Sequence, residues 1–212
     1  VSTGLIIFSR FDSNRLPGKA LLPLAGIPLL ARVIERALRI ASLDQSVDKI
    51  VVATSDRQVD DELAAYADSQ GVPVFRGDAD DVRSRAVRCC DTFGFTSFGR
   101  ICGDSPLLPL SEWVGAIKLA KSGEFDLVTN TFPRSFPVGM SVEVFAKDAL
   151  RRSSEYMVDD DAKEHIGRTI YSLPKKFTIK NFSYSGGDTS QHRAAVDTEA
   201  DFLRIERFFE LY

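Results

Sequence analysis

Apolar residues recur along this chain in two alternating rhythms: short unbroken runs, and longer stretches with helical spacing. The unbroken runs predict strands at Leu5–Phe8, Lys49–Thr54, Pro73–Phe75, Ser97–Ile101 and Asp126–Asn130. Between them, amphipathic segments predict helices over Pro28–Ala41, Val59–Ser69, Asp80–Phe93 and Leu110–Ser122. In the first helix Leu29, Leu30, Val33, Ile34, Ala37 and Leu38 fall on one face. In the third, Val82, Ala86, Val87 and Cys90 share a face and the arginines lie elsewhere. Short apolar strands alternating with such helices belong to βαβ units, so an α/β fold with a mostly parallel sheet is expected.

The rhythm changes after Asn130. TFPRSFPVGM reads as a loop punctuated by Pro and Gly, followed by a strand in SVEVF and a short helix from Ala146. An acidic stretch, Asp159–Asp161, precedes a helix carrying Glu164, His165 and Tyr171. Phe177–Phe182 and His192–Val196 read as strands, and Phe202–Leu211 as a closing amphipathic helix. With no repeat, linker or low-complexity tract, residues 1–212 are expected to form a single domain, with an insertion-like arm at about 131–185. Such arms serve as oligomer contacts or as lids over a site.

A chain of 212 residues with 44% apolar content supports one sizeable core. The net charge of −3, with both signs interspersed, argues against a surface that coats nucleic acid. No apolar run approaches the roughly 20 residues that span a bilayer, and the start lacks the pattern of a signal peptide. Cys89, Cys90 and Cys102 form neither a disulfide framework nor a zinc motif. A cytoplasmic protein with reduced cysteines is expected.

The chemistry concentrates at strand ends. The first strand runs into a loop holding Arg10, Ser13, Asn14, Arg15, Gly18 and Lys19. Three cations and free backbone N–H groups at the end of a buried strand make a cradle for a polyanion, although the loop lacks the P-loop pattern. The alternative is a solvated surface loop. Asp104, in the GDSP turn after another strand, is placed to hold Mg2+, which needs only one or two protein carboxylates beside phosphate oxygens. It could equally be a turn or N-cap residue. Asp197 in AVDT offers the same choice, and as a pair the two could share metal ions facing the basic loop.

The loop RFDSNRLPGK resembles the R-x-x-S-x-R-L-P-G-K signature of cytidylyltransferases that make CMP-activated acidic sugars. That family includes CMP-KDO synthetase, acylneuraminate cytidylyltransferase and, most similar, the spore coat polysaccharide biosynthesis protein F group. IPLLARVIERAL, IVVATSD, GVPVFRGDADDVRSR, GRICGDSPLL, SVEVFAKDAL, KEHIGRTIY and HRAAVDTEADF resemble its further landmarks in order, over nearly the whole chain. The chain departs from the family's pattern at Phe8-Ser9, usually Gln-Ala, at Ser84, usually a carboxylate, and at Lys163, usually Arg.

The resemblance implies a three-layer α/β/α sandwich like the nucleotide-diphospho-sugar transferases, and transfer of CMP from CTP to an acidic sugar with release of pyrophosphate. It implies that Arg10, Arg15 and Lys19 hold the triphosphate with Ser13 nearby, and that Asp104 and Asp197 ligate Mg2+. Arg15, Lys19, Asp104 and Asp197 would then be the catalytic set. Arg76 and Asp80–Arg85 would bracket the nucleotide, and a homodimer would form through the arm, where Phe132, Phe136, Val138 and Met140 are apolar. Arg134, Glu143 and His165 are candidates for the acceptor side. Two other readings stay open: a same-fold nucleotidyl- or glycosyltransferase using another nucleotide or acceptor, and a non-catalytic nucleotide-binding homologue.

Overall fold

The apolar runs and amphipathic stretches become an ordered series in the computed structural model, which describes residues 2–156 and 161–211. Strand β1 (Thr3–Phe8) is followed by a small hairpin, β2 (Pro23–Leu24) and β3 (Ile27–Pro28), and by helix α1 (Leu29–Leu43). Next come β4 (Val47–Ser55), α2 (Asp61–Ser69), β5 (Val74–Gly77), α3 (Val82–Phe93), β6 (Ser97–Cys102) and α4 (Leu110–Ala120). The remainder holds β7 (Leu127–Thr129), β8 (Glu143–Ala146), α5 (Lys147–Ser153), α6 (Asp161–Glu164), α7 (Arg168–Ser172), β9 (Ile179–Asn181) and α8 (Glu199–Leu211). Asp159 and Asp160 of the acidic stretch lie outside the described residues. Among the described residues no helix is long and apolar enough to cross a membrane.

Among these residues the main sheet has seven strands in the order β5-β4-β1-β6-β8-β7-β9, with β8 alone running against the rest. β1 is central because it is apolar on both faces. Leu5 and Ile7 pack with Leu30, Val33 and Ile34 of α1 and with Trp113 and Ile117 of α4. Ile6 faces the opposite layer, where Ala86, Cys89 and Cys90 of α3, Leu150 of α5 and Ile170 of α7 are buried. Burial of each large aliphatic side chain contributes roughly 1.5–3 kcal/mol. The mostly parallel sheet between two helical layers is the expected α/β/α architecture.

Four details depart from the sequence expectation. Leu38 is half exposed, because Ile40 takes the last core position of the α1 stripe. Arg85 is buried on the inner side of α3. The helix expected to carry Glu164, His165 and Tyr171 is broken into α6 and α7, with Gly167 between them and Arg168 N bonded back to His165 O at 2.9 Å. His192–Val196 does not form a strand of the sheet. It is extended chain pinned to the arm by a bridge between Val138 and Arg193, with Val138 N donating to His192 O at 3.0 Å and Ala194 N to Val138 O at 2.6 Å. Too few partners run alongside it to build a ladder.

Gly139 makes that pinning possible. Its φ is +96°, and a Cβ there would lie 2.3 Å from Ala195 N. Replacing Gly139 by Ala should therefore cost more than about 2 kcal/mol, through left-handed strain and backbone overlap together. Thermal unfolding is expected to show a fall in Tm of about 4 °C or more; an unchanged Tm would refute the close approach.

Candidate active site

Because β4, β1 and β6 are parallel, their carboxyl ends emerge along one edge of the sheet, where open α/β folds bind ligands. The loop after β1 is tightly tied. Phe11 O accepts from Ser13 N at 3.0 Å and from Gly18 N at 2.8 Å. Phe11 N donates to Asp60 Oδ1 at 2.6 Å, and the fully buried Asp60 also receives the Ser55 hydroxyl. Gly18, at φ +72°, then turns the chain into a short 3-10 segment that starts at Lys19. Asp60 is a functional support that sequence reasoning missed, since an acidic residue entering a helix reads as an ordinary cap.

The β6 end supplies Asp104. Gly103 N bonds to Phe8 O at 2.8 Å, which holds the two strand exits together. The third contributor comes from far along the chain: Val196 N donates to Asp104 O at 2.9 Å and brings Asp197 alongside. Asp197 is not the cap of α8. Thr198 is, in a reciprocal box: Thr198 N reaches Asp201 Oδ2 at 3.1 Å and Asp201 N reaches Thr198 Oγ1 at 3.2 Å. The Asp197 carboxylate is thus released to face the cleft.

Lys19 Nζ sits between the two carboxylates, 3.0 Å from Asp104 Oδ2 and 3.2 Å from Asp197 Oδ1, and 2.7 Å from Val196 O. Arg15 adds a 2.9 Å contact to Asp197 Oδ1, and Arg193 a 2.6 Å contact to its Oδ2. Oxygens that converge on one ammonium can converge on a hard divalent cation of similar demand. Among the described residues no group of three or more His, Cys, Asp and Glu side chains could hold a metal. Two carboxylates alone could serve an ion of the Mg2+ type, which brings its other oxygens from water and phosphate.

Around this pair opens a cleft of about 550 Å³. Arg10, Arg15, Lys19, Arg85 and Arg100 line it against Asp104, Asp197 and Glu164, five cationic side chains to three carboxylates. That excess suits a polyanion. Ser13, Asn14 and His165 also face the cleft. Glu164 meets Arg10 at 3.6 Å across its mouth. At one end Phe8, Val82 and Arg85 meet: the Arg85 guanidinium lies 6.0 Å from the Phe8 ring centre and donates to Asp78 O at 2.8 Å, while its Nε has no partner.

On β6, the strand beside β1, Arg100 Nη1 pairs with Glu143 Oε2 at 2.6 Å, and Tyr171 donates to Glu143 Oε1 at 2.6 Å. Thr129 and Thr131 complete this network through the Tyr171 hydroxyl. Burial first, and then Glu143, push the Tyr171 hydroxyl well above its ordinary range, so it remains a donor. Glu143 thus supports the cleft from behind Arg100. Two predicted residues lie outside the cleft. Arg76 pairs with Asp61 at 2.5 Å and bonds to Ser55 O, and Arg134 turns onto its own loop, toward Ser141 Oγ at 3.1 Å. Burial pushes the Cys90 thiol up to about 12 and raises Cys89 and Cys102 as well, which favours their protonated form.

An open, mostly parallel α/β sheet with a cationic cleft and a convergent carboxylate pair at its strand ends is an arrangement suited to nucleotide phosphates. The chain belongs to the cytidylyltransferase family, whose sequence profile matches residues 5–199. It is 28% identical over 208 residues to the spore coat polysaccharide biosynthesis protein SpsF of Bacillus subtilis, covering 97% of this chain and 85% of that one. Over 110 residues it is 34% identical to the 3-deoxy-manno-octulosonate cytidylyltransferase of Aeromonas salmonicida, covering 50% of this chain and 40% of that one. A solved cytidylyltransferase of Leptospira borgpetersenii superposes with a TM-score of 0.92 at 27% identity, over 100% of this chain and 88% of that one. The fold is also that of CMP:2-keto-3-deoxy-manno-octonic acid synthetase complexed with CTP, with a TM-score of 0.76 at 18% identity over 100% and 99% of the two chains.

The Thr198–Asp201 box that frees Asp197 has its own pH signature. Burial raises the Asp201 carboxyl, but hydrogen bonds from Arg204, Thr198 and Asp197 outweigh it and bring the group down to about 2. A depressed carboxyl stabilises the fold above its unfolded value near 4, and that contribution fades as pH falls through about 2. Asp201→Asn should cost roughly 1 kcal/mol at neutral pH, with the gap to wild type closing between about pH 4 and 2. Urea unfolding across that range checks it; a gap that does not change with pH would exclude this role.

Proposed function

We propose that this protein is a Mg2+-dependent cytidylyltransferase that transfers CMP from CTP to an acidic sugar, releasing pyrophosphate, in cell-surface polysaccharide biosynthesis. The observation that carries this reading is the pair Asp104 and Asp197, drawn together around one cation at the edge of a cleft rich in Arg and Lys. The similarity to a spore coat polysaccharide biosynthesis protein supports the pathway class, and the CTP complex of a same-fold synthetase supports the nucleotide.

The acceptor oxygen attacks the α-phosphorus in line as pyrophosphate departs, a reaction that depends on positioning and on neutralising charge. Arg10, Arg15 and Lys19 bind the triphosphate and stabilise the departing pyrophosphate, with Ser13 beside them. Arg15 is largely exposed and so can swing from Asp197 to a phosphate oxygen. Bound at Asp104 and Asp197, Mg2+ would polarise the α-phosphate. The base lies against Phe8 and Val82, beside the buried Arg85 guanidinium. The acceptor lies near His165 and Arg100, whose guanidinium suits the carboxylate of a sugar acid while Glu143 and Tyr171 hold that arginine in place.

The free cysteines support a cytoplasmic setting. A homodimer formed through the arm at about 131–185 is supported by the exposed Phe132 and by a second, more apolar cavity of about 840 Å³ that includes Phe136, Pro137, Met140 and Tyr184.

Pyrophosphate release measured with CTP, ATP, GTP and UTP over a panel of nonulosonic and other acidic sugars tests the reaction. Turnover with CTP, dependent on Mg2+, is expected, and Asp104→Asn should lower it by about 100-fold or more with the fold intact by circular dichroism. Unchanged activity in Asp104→Asn would sink the metal assignment, and preference for another nucleotide would sink the base assignment. Sedimentation at micromolar concentration should give a dimer; a monomer would count against the arm as an interface.

A further inference from the structure

Every oxygen of the two carboxylates already has a donor. Lys19 takes Asp104 Oδ2 and, with Arg15, Asp197 Oδ1; Ser105 Oγ takes Asp104 Oδ1 at 3.1 Å; Arg193 takes Asp197 Oδ2. Counting Asp201, which Arg193 also faces at 4.0 Å, and its partner Arg204, four cationic groups meet three carboxylates, so the cluster is net positive before any metal arrives. A free divalent cation would be repelled and would also have to displace hydrogen bonds that are already made. The groups differ in mobility. Arg193 is fixed by an i,i+4 contact to Asp197 and lies on the pinned segment, whereas Lys19 is a single point charge on a four-carbon stem that lines the open cleft.

We propose that Lys19 is a built-in placeholder for the metal. In the nucleotide-free protein its ammonium neutralises Asp104 and Asp197 and keeps free divalent cations out. When a triphosphate enters, its negative charge draws Lys19 off the carboxylates and onto phosphate oxygens, and the metal takes the vacated point. Metal and nucleotide therefore bind with strong positive coupling, and the nucleotide-free enzyme does not load metal alone. The placeholder also spares the arriving polyanion a pair of bare carboxylates. This inference rests on the reading of Asp104 and Asp197 as the metal-holding pair.

Titration with Mn2+, following bound metal by electron paramagnetic resonance, tests it without reference to turnover. Wild type without nucleotide should bind Mn2+ only weakly, in the millimolar range. Lys19→Met and Lys19→Gln should each bind it about tenfold or more tightly without nucleotide, and adding Asp104→Asn to either should remove the gain. With an α,β-methylene analogue of CTP present, wild type should acquire an Asp104-dependent Mn2+ site. Nucleotide-free wild type that binds Mn2+ as tightly as the Lys19 variants overturns the placeholder, and this arm stands even if a variant folds poorly. If the analogue-dependent site persists and the Lys19 variants gain nothing, the placeholder fails and the metal reading survives. If no Asp104-dependent site forms under any condition, both fail.

Discussion

One backbone hydrogen bond, Val196 N to Asp104 O at 2.9 Å, joins the two halves of the site. Asp104 follows a strand in the middle of the sheet, and Asp197 lies 93 positions later, beyond the arm. Nothing local would bring them together. The segment that delivers Asp197 crosses the arm at the Val138–Arg193 bridge, passes over Gly139 too closely for a side chain, and docks on the β6 turn. α8 then holds it from below, where Val196 and Ile205 share a small core with Leu24 and Leu29. The segment around Val138 and Gly139 is therefore part of the site's frame.

Charge in the cleft follows from that closure. Two carboxylates held a few ångströms apart repel strongly in a partly desolvated setting, and the conformation needs a cation between them. Lys19, only 12% exposed at its side chain, provides it from a backbone already fixed by Gly18 and Phe11. Surface pairs such as Arg57 with Asp12 contribute about 1 kcal/mol at most, so the loop's position is owed chiefly to the buried Asp60. The cationic loop is itself held by a carboxylate behind it.

The parts of this arrangement that were legible in the sequence are those with a local cause. β1, β4, β6 and the helices around them follow from apolar runs and helical spacing, because burial on one or both faces writes itself into consecutive residues. The basic loop and Asp104 were legible as residues at strand ends. Other features depend on distant partners and leave no periodic trace. The extended chain before Asp197 read as a strand because it ends in Ala194, Ala195 and Val196, yet among the described residues its one bridge is to Val138. The β2–β3 hairpin turns on Ala25 and Gly26, both at positive φ, and Ala is not a residue that announces such a turn. Asp60 and the burial of Arg85 also depend on what lies across the fold.

Phe8 and Ser84, where the chain departs from the family's usual residues, now have a shared physical context. Phe8 ends β1 at the cleft, its ring 6.5 Å from Phe98 on one side and near the Arg85 guanidinium on the other. Ser84 stands in the first turn of α3, its N–H capped by the Asp81 carboxylate at 2.7 Å. Next to it, Arg85 donates to a backbone carbonyl, Asp78 O, and keeps one unpaired N–H. Burial pulls the Arg85 guanidinium below its ordinary value, a cost that an exposed arginine would not carry. An aromatic face beside a buried, incompletely satisfied cation is a demanding arrangement to maintain in a bare core. That cost is carried at the cleft wall, where Phe8, Val82 and Arg85 line the open space together.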